Sequence, residues 1–380
     1  MSGARVVRVY FPCTGLGRQR RGYETFTREC AAALRGDPRL EITVFGGGGP
    51  FAAPGERTIL NAPRDGALAR IAGALTNHDA YFVEQASFFA AFLPHLVAGR
   101  PDVVYFADLN LGNACWHWRR ITGQRFRLLF YNGGATSEPF TRCDLVQQVS
   151  PEHYDAALAR GEAAGRQVLL PHGVTVPPGY MPPTAAERAE LRAALGLPAD
   201  RPVVLSAGMI DMNVKRMDYL VREVAALGER RPFLLLAGAA SADTPRVVEL
   251  ARAALGEGGF TVRTFAPEEM RRVYRAADAF ALASFREGFG LAIVEALAEG
   301  LQCVLHRTPT TEYVAGPHAL CGDFRTDGAM TPLLRDAMAR AGDAGAMRAR
   351  HEWVRERFSW DALRGRYGDL LCACAEGRRP

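Results

Sequence analysis

Residues 283–300 read ASFREGFGLAIVEALAEG. The run DAFALAS, 278–284, has the apolar pattern of a buried strand and ends at Ser284. Glu287 follows on a loop, then Gly288-Phe289-Gly290, then an amphipathic helix containing Glu295. Two glycines beside Phe289 let the backbone turn tightly and approach a ligand with no Cβ in the way. The first N–H groups of the new helix lack intrahelical partners and carry the positive end of its dipole. Such a mouth suits a phosphate or the oxygens of a sugar. Side chains lean towards a helix's N-terminus, so the Glu295 carboxylate reaches back to the same place. A carboxylate accepts two hydrogen bonds at once and fits a pair of hydroxyls. Glu287, on the loop itself, lies nearer to whatever extends beyond the phosphates.

Outward from this segment, short β-branched or aliphatic runs alternate with helical patterns. The second half offers strands at Val203–Ala207, Phe233–Ala237, Thr261–Phe265, Ala279–Ala283 and Cys303–Leu305. The first half offers Val6–Tyr10, Glu41–Phe45, Val103–Phe106, Arg127–Tyr131, Leu145–Val149 and Gln167–Leu170. Alternation of this kind predicts α/β architecture with parallel sheets covered by helices. Between the halves, GVTVPPGYMPPT (173–184) holds four prolines and reads as a linker. We expect two doubly wound, Rossmann-like domains, 1–175 and 185–359. Ligands of such sheets bind at the carboxyl-end loops, so two domains facing a cleft would take two substrates.

Bulk properties narrow the function classes. The chain has 380 residues, 48% apolar and 23% charged, which suits two soluble domains. No apolar run approaches the roughly 20 residues of a membrane span. The segment MSGARVVRVYFP reads as a first strand rather than a leader, so cytoplasmic residence is the expectation. The eight cysteines show no C-x-x-C pair or zinc spacing and read as reduced thiols. A net charge of +5 does not imply nucleic acid. Of 46 basic residues only Lys215 is a lysine.

The 283–300 segment resembles the E-x7-E signature of retaining GT-B glycosyltransferases of family 4 (glycosyl transferases group 1). The resemblance implies that Glu295 holds the donor ribose, that Gly288, Phe289 and Gly290 meet sugar and phosphate, and that Glu287 contacts the donor sugar. The segment VVLSAGMIDMNVKRMDYL (203–220) is similar to the family's glycine–loop–lysine stretch that grips a diphosphate. Gly208 and Lys215 match it, but Met209 stands where the family has an arginine, and Arg216 is a candidate to supply that charge. LPHGVTVP (170–177) resembles the family's hinge. FSWDALRGRYGDLL (358–371) resembles its closing helix, expected over 360–378 to cross back onto the first domain.

The resemblance implies transfer from a UDP- or GDP-sugar with retention, the departing phosphate taking the acceptor's proton, and no metal or other cofactor. The acceptor is open between a small natural product and a glycan. A catalytically silent nucleotide-sugar-binding protein is the alternative, and epimerisation or phosphorolysis a third.

The first domain resembles the family less. Gly15 and Gly17, in CTGLGRQRRG, form either a plain turn or a loop that approaches donor phosphates. Arg18, Arg20 and Arg21 read equally as anion attractors or as a solvated run. Asp108, with Asn110 nearby, is either an acceptor base or a helix cap. Asn132 stands where the family often has a histidine near sugar and acceptor, and an amide cannot act as a base. FGGGGP (45–50) reads as a loop. CWHWRRITGQRFR (115–127) reads as a helix packing its tryptophans on the sheet, with peripheral membrane contact the alternative.

Overall fold

The computed structural model describes residues 5–19, 22–134, 136 and 139–378. The chain divides into two units, 1–175 with 360–380, and 176–359.

Seven strands build the first unit: β1 Val7–Cys13, β2 Leu40–Gly46, β3 Arg57–Thr58, β4 Val103–Phe106, β5 Arg127–Asn132, β6 Leu145–Gln148 and β7 Gln167–Leu169. All pair in parallel in the order β3-β2-β1-β4-β5-β6-β7. Six more build the second: β8 Val203–Ala207, β9 Phe233–Ala237, β10 Phe260–Arg263, β11 Ala279–Leu282, β12 Gln302–His306 and β13 Ala319–Gly322. Their order is β10-β9-β8-β11-β12-β13, again all parallel. Each sheet is doubly wound, and its strand order reverses once, at β1/β4 and at β8/β11. β8 and β9 are buried along their whole length, as continuous apolar strands under two helical layers must be.

The expected helices are present with modest shifts of their ends. The helix expected over Phe88–Ala98 starts two turns earlier, at Ala80, where the Asp79 side chain accepts from Phe82 N. Five strands or α-helices went unpredicted: β3, β13 and the helices Ala67–Thr76, Pro309–Ala315 and Thr331–Ala339. β3 is only two residues long, β13 is the weakly β-forming ALCG, and the helix Ala67–Thr76 buries only Ala69 and Gly73. The C-terminal helix, Trp360–Glu376, belongs to the first unit. Trp360 Nε1 donates to Glu29 Oε2 at 2.8 Å, and Tyr367 Oη donates to the Pro171 carbonyl at 2.8 Å. Among the described residues, no helix is long and apolar enough to cross a membrane. Trp116 and Trp118 pack against the aromatic core of the first unit.

The FGGGGP glycines have a structural task. A Cβ on Gly17, whose φ is +93°, would lie 2.7 Å from the Gly48 carbonyl oxygen. Phe51 N donates back to the Gly17 carbonyl at 2.8 Å. The two glycine loops therefore pack backbone against backbone.

The second unit has a parallel feature at the ends of β8 and β9. A Cβ on Gly238 would overlap the Gly208 carbonyl oxygen. Gly238→Ala must push these loops apart, and we expect a loss of about 2–3 kcal/mol of stability. Urea unfolding at unchanged slope is the measurement, and an unchanged midpoint would contradict this packing.

Candidate functional site

In a doubly wound sheet, the crevice for a ligand lies at the carboxyl ends of the strands where the order reverses. In the second unit this is the gap between the loops after β8 and β11. The β8 loop runs from Gly208 to Arg216 and is organised by Asp211, which is 6% exposed. One Asp211 carboxylate oxygen accepts from the backbone N–H groups of Asn213 (2.9 Å), Val214 (2.6 Å) and Lys215 (2.9 Å). The turn so formed aims Lys215 back over Gly208, where a Cβ would be 2.9 Å from the lysine Cε. Gly208 has φ +149°, and its bare Cα leaves room for the lysine stem.

From there the Lys215 ammonium crosses to the β11 loop. Nζ lies 2.7 Å from Glu287 Oε1, with both side chains largely shielded from water, 18% and 9% exposed. The pair bridges the two loops that flank the reversal. Gly288 is half-buried, and Gly290 adopts φ +83° as the residue that opens the helix Leu291–Ala298. Phe289 differs from expectation. It is 3% exposed, and its ring sits edge-on against Phe358 at 5.4 Å. Its side chain is core and anchors the loop, so only its backbone is available to a ligand.

Glu295 is exposed and is oriented by Tyr274, whose hydroxyl donates to Oε2 at 2.7 Å. Burial, with the Glu295 charge next in weight, raises the Tyr274 pKa well above its ordinary value, so this phenol stays a donor. Arg216 turns away from Lys215. Its guanidinium donates to the Phe324 carbonyl at 2.8 Å and lies 3.9 Å over Phe285 and 4.4 Å over Tyr219. Burial lowers its pKa, and it remains a cation. This placement does not support its substituting for the arginine absent at Met209. Met209 itself is 53% exposed.

Asp211, Tyr274 and the Phe285 platform were not anticipated from the sequence. Asp211 carried a signal, since an Asp at a loop start commonly binds the amides two and three residues on. Tyr274 carried none, lying 21 residues from its partner on another helix.

In the first unit the candidates are closed into the fold. Asp108 is 4% exposed. Its Oδ2 accepts from Thr14 N at 3.0 Å and Thr14 Oγ1 at 2.9 Å, and its Oδ1 accepts from the Tyr81 hydroxyl. It makes no side-chain cap bond to the helix Leu109–Thr122. That helix mouth is covered by Gln85 Oε1, which accepts from Asn110 N at 3.0 Å and Leu111 N at 3.3 Å. The Asn110 residue is exposed. Asp108 stands at the N-cap position of that helix without bonding it through its side chain, and its carboxylate staples the loops after β1 and β4.

Asn132 is likewise committed. Its amide donates to Thr136 O (3.0 Å) and Gln148 Oε1 (2.8 Å), and its oxygen accepts from Thr136 N (2.8 Å). The Gly15 carbonyl accepts from Arg18 N (3.0 Å) and Gln19 N (2.8 Å), closing a tight turn. Arg18 donates to Asn61 Oδ1. Arg20 and Arg21 lie outside the described residues.

Comparison with known proteins agrees with this geometry. Residues 201–339 match the family described as glycosyl transferases group 1. A D-inositol 3-phosphate glycosyltransferase of Stackebrandtia nassauensis is 35% identical over 267 residues, covering 62% of this chain and 58% of the relative. One from Saccharomonospora viridis is 34% identical over 276 residues, covering 63% and 61%. The chain thus spans about three-fifths of the length of the curated relatives it matches. A sucrose-phosphate synthase structure from Thermosynechococcus elongatus superposes with TM-score 0.76 at 21% identity, covering 96% of this chain and 98% of that one. Anabaena HepE, solved with UDP and glucose, gives TM-score 0.71 at 16% identity, covering 97% and 100%. At these identities the likeness establishes the shared GT-B fold.

If Asp108 is a staple, its variants should cost stability. We expect Asp108→Ala to lose about 1–3 kcal/mol by orphaning the buried Thr14 amide, and Tyr81→Phe about 1 kcal/mol. Denaturant unfolding checks this, and an unaffected Asp108→Ala would return the residue to the list of candidate bases.

Proposed function

We propose, from the group 1 glycosyltransferase segment at 201–339 in a chain of GT-B fold, that this protein transfers a sugar from a nucleoside diphosphate sugar to an acceptor hydroxyl. The observation that carries the proposal is the Lys215–Glu287 ion pair at the strand-order reversal, beside a glycine-opened helix that bears Glu295. A lysine shielded from water and matched to a single carboxylate is a site that an incoming diphosphate can take over.

The chemistry follows from the charges. As the bond from sugar to β-phosphate breaks, negative charge grows on the departing phosphate, and stabilising it is the main catalytic task. Lys215 supplies a full positive charge, and the amides at Gly288–Gly290 and the start of the following helix supply partial ones. When Lys215 turns to the phosphate, the Glu287 carboxylate loses its partner and becomes an acceptor for donor-sugar hydroxyls. Glu295, held by Tyr274, accepts from the ribose hydroxyls. In the proposed retaining course, the acceptor oxygen attacks from the face the leaving group vacates, and its proton passes to the leaving phosphate oxygen. No protein base is needed, consistent with Asp108 and Asn132 being occupied elsewhere, and the scheme calls for no metal ion.

The acceptor class is open. The relatives' names make phosphorylated cyclitols the first acceptors to try, ahead of glycans and other small natural products, and the UDP of the HepE structure makes UDP-sugars the first donors, ahead of GDP-sugars. A silent nucleotide-sugar binder remains the alternative, favoured by Met209 in place of a second phosphate cation. Calorimetric donor binding without product across the acceptor panel would select it.

The test is turnover of UDP- and GDP-sugars by wild type and three variants. Lys215→Ala should lower kcat/KM on the order of 10²–10³-fold. Glu295→Ala should weaken donor binding roughly 10–100-fold, the value of hydrogen bonds to a charged group. Lys215→Arg should recover only part of the lysine's effect. Wild-type kinetics in both alanine variants would remove the site assignment.

A further inference from the structure

A second concave site lies at the opposite end of the first unit's sheet, where β5, β6 and β7 begin. It encloses a cavity of about 450 Å³, within the usual range for small-molecule pockets. Five arginines line it, Arg119, Arg127, Arg142, Arg166 and Arg378, with Asp144 as the sole carboxylate among the described lining residues.

Asp144 is already spent. It pairs with Arg119 and, at 3.2 Å, with Arg127, and it accepts from Leu128 N at 2.7 Å. Arg378 is paired with Glu376 just outside the pocket. Arg142 and Arg166 form no ion pair with a described residue. Arg142 lies 5.2 Å over the Trp116 ring, and Arg166 reaches only the Thr141 carbonyl, at 3.4 Å. With Glu376 and with Glu162, whose charge acts on the lining Cys143, five guanidinium groups meet three carboxylates among the described residues. Like charges gathered in one concavity repel each other, and an anion bound among them would reverse the sign of that interaction.

We propose that this pocket binds a compact oligophosphate. Guanidinium groups are planar forks that match phosphate oxygens two at a time. The excess positive charge calls for a multiply charged anion, and the volume admits more than one phosphate. Gly165 and Gly377 in the lining let backbone approach without side-chain bulk. The pocket stands apart from the donor site, which is built in the second unit, so the assignment does not depend on the proposed transfer reaction.

Calorimetric titration with inorganic pyrophosphate tests it, using the full chain as wild type, Lys215→Ala, and the double variant Arg142→Gln/Arg166→Gln. Both arginines are exposed, and a thermal melt of the double variant confirms that it is folded. Lys215→Ala removes the donor-site phosphate contact. The expected result is binding in wild type, retained within about twofold in Lys215→Ala, weakened on the order of tenfold or more in the double variant, and weakened by added salt. Absence of pyrophosphate binding in wild type overturns the proposal. So does binding that Lys215→Ala abolishes and the double variant keeps, which would place the anion at the donor site instead.

Discussion

The second unit's site depends on one ion pair, Lys215 to Glu287, spanning the loops after two adjacent parallel strands. A pair this shielded tolerates poorly the loss of one member, because the charge left behind has neither water nor partner. The same fact underlies the role proposed for the pair. An anion that replaces Glu287 as the partner of Lys215 keeps the lysine neutralised and releases a carboxylate a short distance away. Everything local serves that geometry: Asp211 ties down three amides so that the lysine points inward, and Gly208 leaves out a Cβ so that the stem can lie flat.

The first unit has the same topology and a different occupant at its own reversal. There Asp108 joins β1 to β4 through Thr14 and Tyr81. Among the described residues its hydrogen-bond donors are neutral groups, the Thr14 amide and hydroxyl and the Tyr81 hydroxyl. Displacing Asp108 would orphan a buried backbone amide. Two crevices that the topology makes equivalent thus differ in side-chain chemistry, one crossed by an ion pair and one by a carboxylate held by neutral donors.

How far the sequence could be read follows from the same physics. The strands Val203–Ala207 and Phe233–Ala237 were legible to the residue, because a strand buried on both faces has to be a continuous apolar run. The two-residue β3 and ALCG at β13 were not, since edge pairing in a tertiary context supplies what propensity lacks. In the site, residues that act through backbone freedom or charge left a pattern: Gly208, Lys215, Glu287, Gly290 and Glu295. Residues that act through direction did not. Nothing in E-G-F-G says that Phe289 turns inward onto Phe358, and nothing in Y-N-G-G says that Asn132 will spend its amide on Gln148 and Thr136. Side-chain orientation is decided by elements far away in sequence.

The adjacent pair Lys215-Arg216 shows why the one lysine among 46 basic residues stands where it does. Arg216 uses what only a guanidinium has, a flat cationic face, laid over Phe285 and Tyr219 with one edge on a carbonyl. Lys215 uses what only an ammonium has, a compact charge with rotating donors on a slim stem, threaded past Gly208 to one carboxylate oxygen. A guanidinium is broader than the lysine stem that lies 2.9–3.3 Å from a Cβ at Gly208. Where charge alone matters this chain has arginine. At 215 shape matters as well, because the stem passes directly over the bare Cα of Gly208 to reach Glu287.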